Sequence, residues 1–452
     1  MRRAGRKLVA AQGNRTVRLV YAPPAVDRPD RLDVLDRATH RRIASWPLIE
    51  RAARVDLFGG IAILSASKRN ALYALRTGDG RIAMIGITRA GDRPLIGPHG
   101  VLYEDNLLVS TAGSSPHATL KLLPLATVRR ELGDRAPVRE PWGHVLRHAS
   151  HAGSRMRLSR INAISMDGPR VALAVHDPRG ACDRVLFWNV AWHFVSRLTR
   201  QVGPTCLPTH PSGGITDVAL AGPRAVWTTR YGRQTRMLAA SIIHCHEWVV
   251  ARPIQGVQRV AGLSGDGGLL AYALGWTSRK RHTSSVGLVP QIWRGLSLAR
   301  SNSQVVSVSA DSGRVATVYA NGTVVVLTPG TQVVKRLRVE TAGAMALRRD
   351  TLAILGHGTL DVYNVSSGRR VHAWNIPASA TSVDLHYGIA VIAAGRDVLA
   401  MNVDTGRTAR LLRAPAQVSA EIEAPGAVIQ FNVGTQGYLR FVPMSLIEAR
   451  TR

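Results

Sequence analysis

Cysteine is scarce in this chain, with three among 452 residues. That is too few for the disulfide framework of a small secreted domain. Cys182 and Cys206 fall in consecutive Pro/Gly-rich stretches, DPRGACDR and GPTCLPTH. A bridge between them would tie two loops together and imply an oxidising compartment; the alternative is two free thiols. Cys245 reads as a small buried apolar residue. Long apolar runs are absent too. No window approaches the ~18 residues that a membrane-spanning helix needs. The basic opening MRRAGRKLVAAQGNRTVRLV lacks the apolar stretch of about 7–15 residues that makes a secretory signal.

Aromatics are few as well, at 5% and dispersed, which denies the stacking platforms on which single-strand binders rely. Acidic residues number 29 against 59 basic ones, for a formal charge of +30. Lys is nearly missing. Only positions 7, 68, 121, 280 and 335 carry it, and the other 54 basic residues are Arg spread through turns and strand ends. G+C-rich coding produces such an imbalance without selection for a partner. Nucleic acid is therefore not the expected ligand, although salt-dependent attraction to polyanions is. The sequence contains no H-E-x-x-H, no G-x-S-x-G and no P-loop.

What is present is repetition. Residues 33–48, DVLDRATHRRIASWPL, align without a gap to 361–376, DVYNVSSGRRVHAWNI. At the same offset, VDLFGGIA at 55–62 matches VDLHYGIA at 383–390 in six of eight positions. Further on, LKLLPLATVRREL (120–132) echoes LRFVPMSLIEAR (439–450). Three landmarks in one order make a duplication, and in an all-strand sequence a duplication points to a β-propeller. The unit is plainest at QVVSVSA, RVATVYA, TVVVLT and VVKRLRV. Those are four short β-branched runs joined by Asp-, Asn- and Gly-containing turns, the pattern of a four-stranded meander.

Comparable units fall at 161–200, 204–253, 257–301, 304–340, 341–377, 380–415 and 418–452, about 42 residues each, which is a propeller-blade length. The expected fold is therefore all-β: one complete seven-bladed propeller at 161–452, preceded by a partial three-blade copy at 1–133. The segment 134–160 has no strand pattern and reads as a linker. LATVRRELG at 125–133 and MSLIEARTR at 444–452 are short helical tails, each closing a copy. Three blades do not close a ring. Either another chain completes them, they dock on the second copy, or the chain as given begins downstream of its true start. The last is the preferred expectation. An extracytoplasmic location follows from it, and a cytoplasmic one otherwise.

The phrases LDVYNVSSGRRVHAW (360–374), VLAMNVDTGRTARLL (398–412), VLFWNVAWHFVSRL (185–198) and LDVLDRATHRRIASW (32–46) resemble bacterial WD40-like and quinoprotein-type (PQQ-type) propeller repeats. In those families a strand ends in Asp or Asn, turns through a T-G or S-G step, and finishes the next strand with an aromatic. The resemblance implies a propeller used to display loops from a rigid ring. No set corresponding to a quinone site is present, so no cofactor is expected.

Few residue clusters suggest chemistry. His244 and His246 would share one face of a strand and could begin a metal site; the alternative is an ordinary strand with one solvent face and one core face. Asp79, Asp266, Asp311 and Asp404 are assigned to turns. Asp56 and Asp384 follow Val in the duplicated V-D-L phrase; each would either face a central channel and bind a ligand or hydrogen-bond a neighbouring blade. Loop 276–291, with Arg279, Lys280 and Arg281, is the most basic and would suit an acidic partner. The expected function is a non-enzymatic scaffold for a protein, peptide or glycan, with self-association through the open N-terminal blades as a further possibility. The alternative is an enzyme of lyase, hydrolase or sugar-oxidoreductase type, which requires several carboxylates and a His converging on one end of the channel.

Overall fold

The computed structural model describes residues 9–22, 29–67, 71–86, 88, 93–105, 119–133, 145–146, 160–177, 182–190, 195–197, 214–222, 224–231, 234–241, 247–251, 258–266, 269–278, 281–289, 296–311 and 313–452. These residues are mostly β-strand. They form ten antiparallel sheets, nine of four strands and one of three. Second strands such as Ile61–Ala66 and Ile389–Ala394 are buried at every position, as expected where both faces of a sheet are covered. Outer strands such as Arg370–Asn375 are largely exposed. Among the described residues no helix is long and apolar enough to cross a membrane.

The chain divides into two compact units. The first comprises Met1–Gly143 with Asn189–His193 and Pro443–Leu446, and the second comprises His144–Trp188, Phe194–Val442 and Ile447–Arg452. Three sheets belong to the first unit, spanning 9–47, 52–86 and 95–124. Its core joins Ile63, Leu72, Val101 and Tyr103 to Val128 and Leu132 of the helix Leu125–Gly133.

The second unit holds seven sheets. Their first strands are Ile161–Asp167, Gly214–Ala221, Gln258–Asp266, Val305–Asp311, Met345–Arg348, Ala380–His386 and Val418–Glu423. Each of these packs against the next, and Val418–Glu423 packs back on Ile161–Asp167. The last sheet joins the first by a paired contact: Asn432 accepts from the Ile161 N–H at 2.8 Å and donates to its carbonyl at 2.8 Å.

The duplicated phrases carry duplicated contacts. Asp36 and Asn364 close their turns by accepting N–H bonds from Thr39 (2.7 Å) and Ser367 (2.8 Å). Trp46 and Trp374, which end fourth strands, each donate their indole N–H to a carbonyl of the following sheet, Thr77 at 2.9 Å and Val403 at 2.8 Å. Each indole also covers a turn glycine at positive φ, Gly80 (72°) and Gly406 (73°). A Cβ there would lie 2.3 Å from the Trp46 ring or 2.5 Å from the Trp374 ring.

Two expectations change. The segment 134–160 is not free of strand. Val145–Leu146 pairs antiparallel with Gln436–Pro443, in the register Val145↔Arg440 and Leu146↔Leu439. The sheet beginning at Val418 therefore takes its fourth strand from before residue 161, not from within 418–452. Two residues are too short a run to show a period-two pattern. The tail 444–452 is helical at Met444–Thr451, and both helices follow a strand that ends in Pro, Pro124 and Pro443.

Candidate functional site

The first strands of the seven sheets in the second unit enclose a cavity of about 400 Å³. Its lining draws on all seven, including Ser165, Asp217, Ser264, Ser309, Arg348, Asp384 and Glu421. Most of these polar side chains are already engaged. Two residues before the strand end, Ser165, Ser264, Ser309 and Asp384 accept N–H bonds from the next sheet's first strand. The donors are Leu220 (3.0 Å), Ala310 (2.9 Å), Leu347 (3.0 Å) and Ile422 (2.8 Å). Glu421 accepts likewise from Met166. Asp217, two positions earlier in its strand, accepts from Leu263 at 3.1 Å. Six of the seven junctions are thus latched by a side chain, and at the seventh Ala346 occupies the latch position.

The acids in this set are held above the ordinary carboxylate range. Burial raises Asp217 to about 6 against the N–H bonds of Val218 and Leu263. Burial raises Asp384 to about 6 as well, against the N–H bonds of Ile422 and Leu385. Glu421 is held well above its ordinary value, by burial first and then by the neighbouring Asp384 charge.

A folded-state value above the unfolded one means that the native protein binds the proton more tightly. Stability is then greatest below the unfolded value near 3.8 and falls as pH rises through about 6. At about 1.4 kcal/mol per unit, Asp384 alone makes the protein roughly 2 kcal/mol more stable at pH 4.5 than at pH 7.5. Asp384→Asn is expected to remove that increment, read from urea unfolding of both proteins at the two pH values. Parallel pH profiles would contradict the assignment.

The ends of the same strands form a second layer. Their terminal residues are Asp167, Ala221, Asp266, Asp311, Arg348, His386 and Glu423, so six of the seven are ionisable. Arg348 binds across the group: its Nη1 lies 3.2 Å from Asp266, 3.1 Å from Asp311 and 3.9 Å from Glu423. Its Nη2 is 3.4 Å from His386 Nε2; because Arg only donates, that nitrogen is the acceptor. The other ring nitrogen lies 3.4 Å from Glu423. Asp167, Asp311 and His386 are at most 1% exposed. Asp167 accepts from the Gly222 N–H at 2.6 Å and faces Arg170 at 3.5 Å. Burial, the Glu423 charge and a hydrogen bond with Asp311 hold Asp266 well above the usual carboxylate range. Four carboxylates thus share two guanidiniums, those of Arg348 and Arg170. Asp167, Asp266 and Glu423 each place one oxygen within 4.8 Å of the other two, so this trio could also hold a metal ion.

Asp266 and Asp311 are therefore not turn residues, as their sequence setting suggested. They close strands and point into a buried charged layer. A repeated signal was available in SMDG, SGDGG, SADSG, DLHYG and EIEAPG, where a polar residue, one apolar or small residue and an ionisable residue precede a turn. Asp384 lines the cavity, with both oxygens on backbone N–H groups at 2.8 and 2.9 Å. Asp56 in the first unit has the same pair of backbone bonds, accepting from Leu57 at 2.9 Å and from Ile96 at 3.0 Å. His244, His246, Cys206, Arg279 and Lys280 lie outside the described residues. Cys182 and Arg281 begin strands, but their side chains also lie outside that description.

No protein-family model matches the chain, and no curated protein sequence matches it. Similar folds occur among solved structures. The WD40 β-propeller domain of Doa1 covers 67% of this chain and 96% of its own, at 12% identity and a TM-score of 0.46. A chain of the mitotic checkpoint complex covers 66% and 95%, at 15% identity and a TM-score of 0.45. Saccharomyces cerevisiae Sqt1 covers 64% and 97%, at 10% identity and a TM-score of 0.42.

Proposed function

We propose that the sheets of 161–443, completed by Val145–Leu146, form one seven-bladed propeller, and that it is a non-enzymatic scaffold for a protein, peptide or glycan partner. The three sheets of 9–124 are then the counterpart of its last three blades. The observation that carries the scaffold reading is how the cavity's polar groups are used. Ser165, Asp217, Ser264, Ser309, Asp384 and Glu421 all take backbone N–H groups of the adjacent strand. Such groups stiffen a ring whose outer loops are then presented at fixed spacing.

The enzyme alternative has its own support. Asp167, Asp266, Asp311, Glu423 and His386 cluster at the strand ends, and Asp266 and Glu423 among them line the cavity, close to the arrangement that reading requires. The counterweight is Arg348, which ties up three of these acids.

One experiment separates the two. The full chain is screened on peptide and glycan arrays, then again as Ser382→Phe, which fills the cavity from a half-buried lining position. Saturable binding that survives the substitution supports the scaffold reading. Absence of any ligand, together with a hydrolase or lyase turnover that Ser382→Phe abolishes, would sink it.

A further inference from the structure

Among the described residues that line the seven-strand cavity, Arg348 alone is basic, against five acids: Asp217, Asp266, Asp384, Glu421 and Glu423. The guanidinium is already held by Asp266 at 3.2 Å and Glu423 at 3.9 Å. Asp217, Asp384 and Glu421 make no ion pair among the described residues. Their partners are backbone N–H groups. Asp217 takes those of Val218 and Leu263, and Asp384 those of Leu385 and Ile422. Glu421 takes Met166 through Oε2 alone. Every carboxylate oxygen so engaged keeps a second lone pair.

Neutral acceptors stand beside these acids. Ser382 and Ser419 line the cavity half-buried, with hydroxyls that no described group engages. Gln430 is paired directly opposite Ser419, so its side chain leaves the sheet on the same face. It is 8% exposed, and its amide oxygen is buried without a hydrogen-bond partner. A buried acceptor left alone is costly, and a donor brought by a ligand removes that cost.

We propose that the cavity binds a small primary alkylammonium ion, an aliphatic diamine in its simplest form. Asp217 and Asp384 supply the charge, and Glu421, Ser419 and Gln430 supply further acceptors for the N–H groups. Asp217 stands two residues further from its strand end than Asp384 and Glu421 do from theirs. That is about 6.6 Å along the strand direction, a separation that the two ammonium groups of a four-carbon diamine can span. The spacing argues against a metal ion at these acids. Among the described residues only Asp167, Asp266 and Glu423 place one oxygen each within 4.8 Å of the others. A cavity of about 400 Å³ has room instead for an alkyl chain. Its entrance is the end where Asn162 and Thr216 are exposed. The overall charge of +30 repels amines, so general attraction does not account for such binding. The site is independent of the scaffold reading, which concerns the outer loops.

Isothermal titration of the full chain at pH 7.5 tests it, with 1,4-diaminobutane, N-acetyl-lysine methylamide, 1,4-butanediol and calcium chloride as probes. Asp217 and Asp384, raised to about 6, are charged at that pH. The diamine is expected to bind saturably, and butanediol, an uncharged chain of the same length, at least tenfold more weakly. Asp217→Asn/Asp384→Asn is expected to cost at least tenfold in Kd, with the melting temperature read to show that the variant is folded. Ser382→Phe, which fills the cavity and leaves both carboxylates in place, is expected to do the same and carries the comparison if the double variant does not fold. The lysine derivative separates two sources of one chemistry: tighter binding than the diamine assigns the ammonium to a partner's side chain, and weaker binding to a free amine. Four results overturn the proposal: no saturable binding of either amine, equal binding of butanediol, an unchanged Kd in both variants, or displacement of the diamine by an equal concentration of calcium.

Discussion

Replacing Arg348 by Met is expected to destabilise the second unit by about 3–5 kcal/mol at pH 7.5. The guanidinium lies within 4 Å of Asp266, Asp311 and Glu423, whose side chains are 12%, 1% and 11% exposed and so have little water to compensate them. Methionine fills much of the volume, so the loss is electrostatic and not a packing defect. That origin gives the effect a pH signature. As pH falls toward 5 Asp266, whose proton affinity is raised, is neutralised. The cost of the substitution should shrink accordingly. Adding Asp311→Asn, which removes one uncompensated charge, should restore part of the loss. Urea unfolding at pH 5 and 7.5 decides the matter, and a deficit below about 1 kcal/mol at the higher pH would show that the cluster does not depend on its arginine.

Gly406→Ala is the second large effect, at roughly 2–5 kcal/mol. The backbone at φ 73° costs a non-glycine residue about 1–2 kcal/mol. The new methyl meets the Trp374 ring at 2.5 Å, and forcing it in adds about 1–3 kcal/mol of overpacking. The indole cannot retreat without breaking its 2.8 Å bond to Val403. The duplicate supplies a control, because Gly80 and Trp46 repeat this arrangement. Gly80→Ala should therefore lower stability of the first unit by a similar amount, monitored by the fluorescence of Trp46. Gly313→Ala, at φ 85° with open space around it, should cost only the backbone share.

The contrast between these residues shows which features of the chain can be read from sequence. The D/N-x-x-G turns and the trailing tryptophans are legible because their cause is local. Asn364 and Ser367 are three positions apart, and the chemistry of the turn sits within those letters. Asp384 and Asp56 stand out because duplication repeats them. The layer of Asp167, Asp266, Asp311, Arg348 and Glu423 is not legible in the same way. An Asp that ends a strand and an Asp that begins a turn look alike in sequence, and only the return of one strand beside another brings the carboxylates together. Arg348 was hidden further by its neighbour Arg349 in ALRRD, where two basic letters suggest solvent. The strand Val145–Leu146 is invisible for another reason. Its identity lies wholly in its distant partner.

That distant pairing governs when the protein can finish folding. Ile161 and Asn432, which join the first and last sheets, are 271 positions apart, and Val145 waits for a strand later still. Closing a loop of that length costs about 5 kcal/mol of chain entropy. During synthesis at about 5–20 residues per second, the early strands emerge tens of seconds before their partners exist. The nascent chain must carry Val145–Leu146 and the edge of Ile161–Asp167 unpaired throughout that interval, so its exposure to aggregation is set by the ribosome's pace.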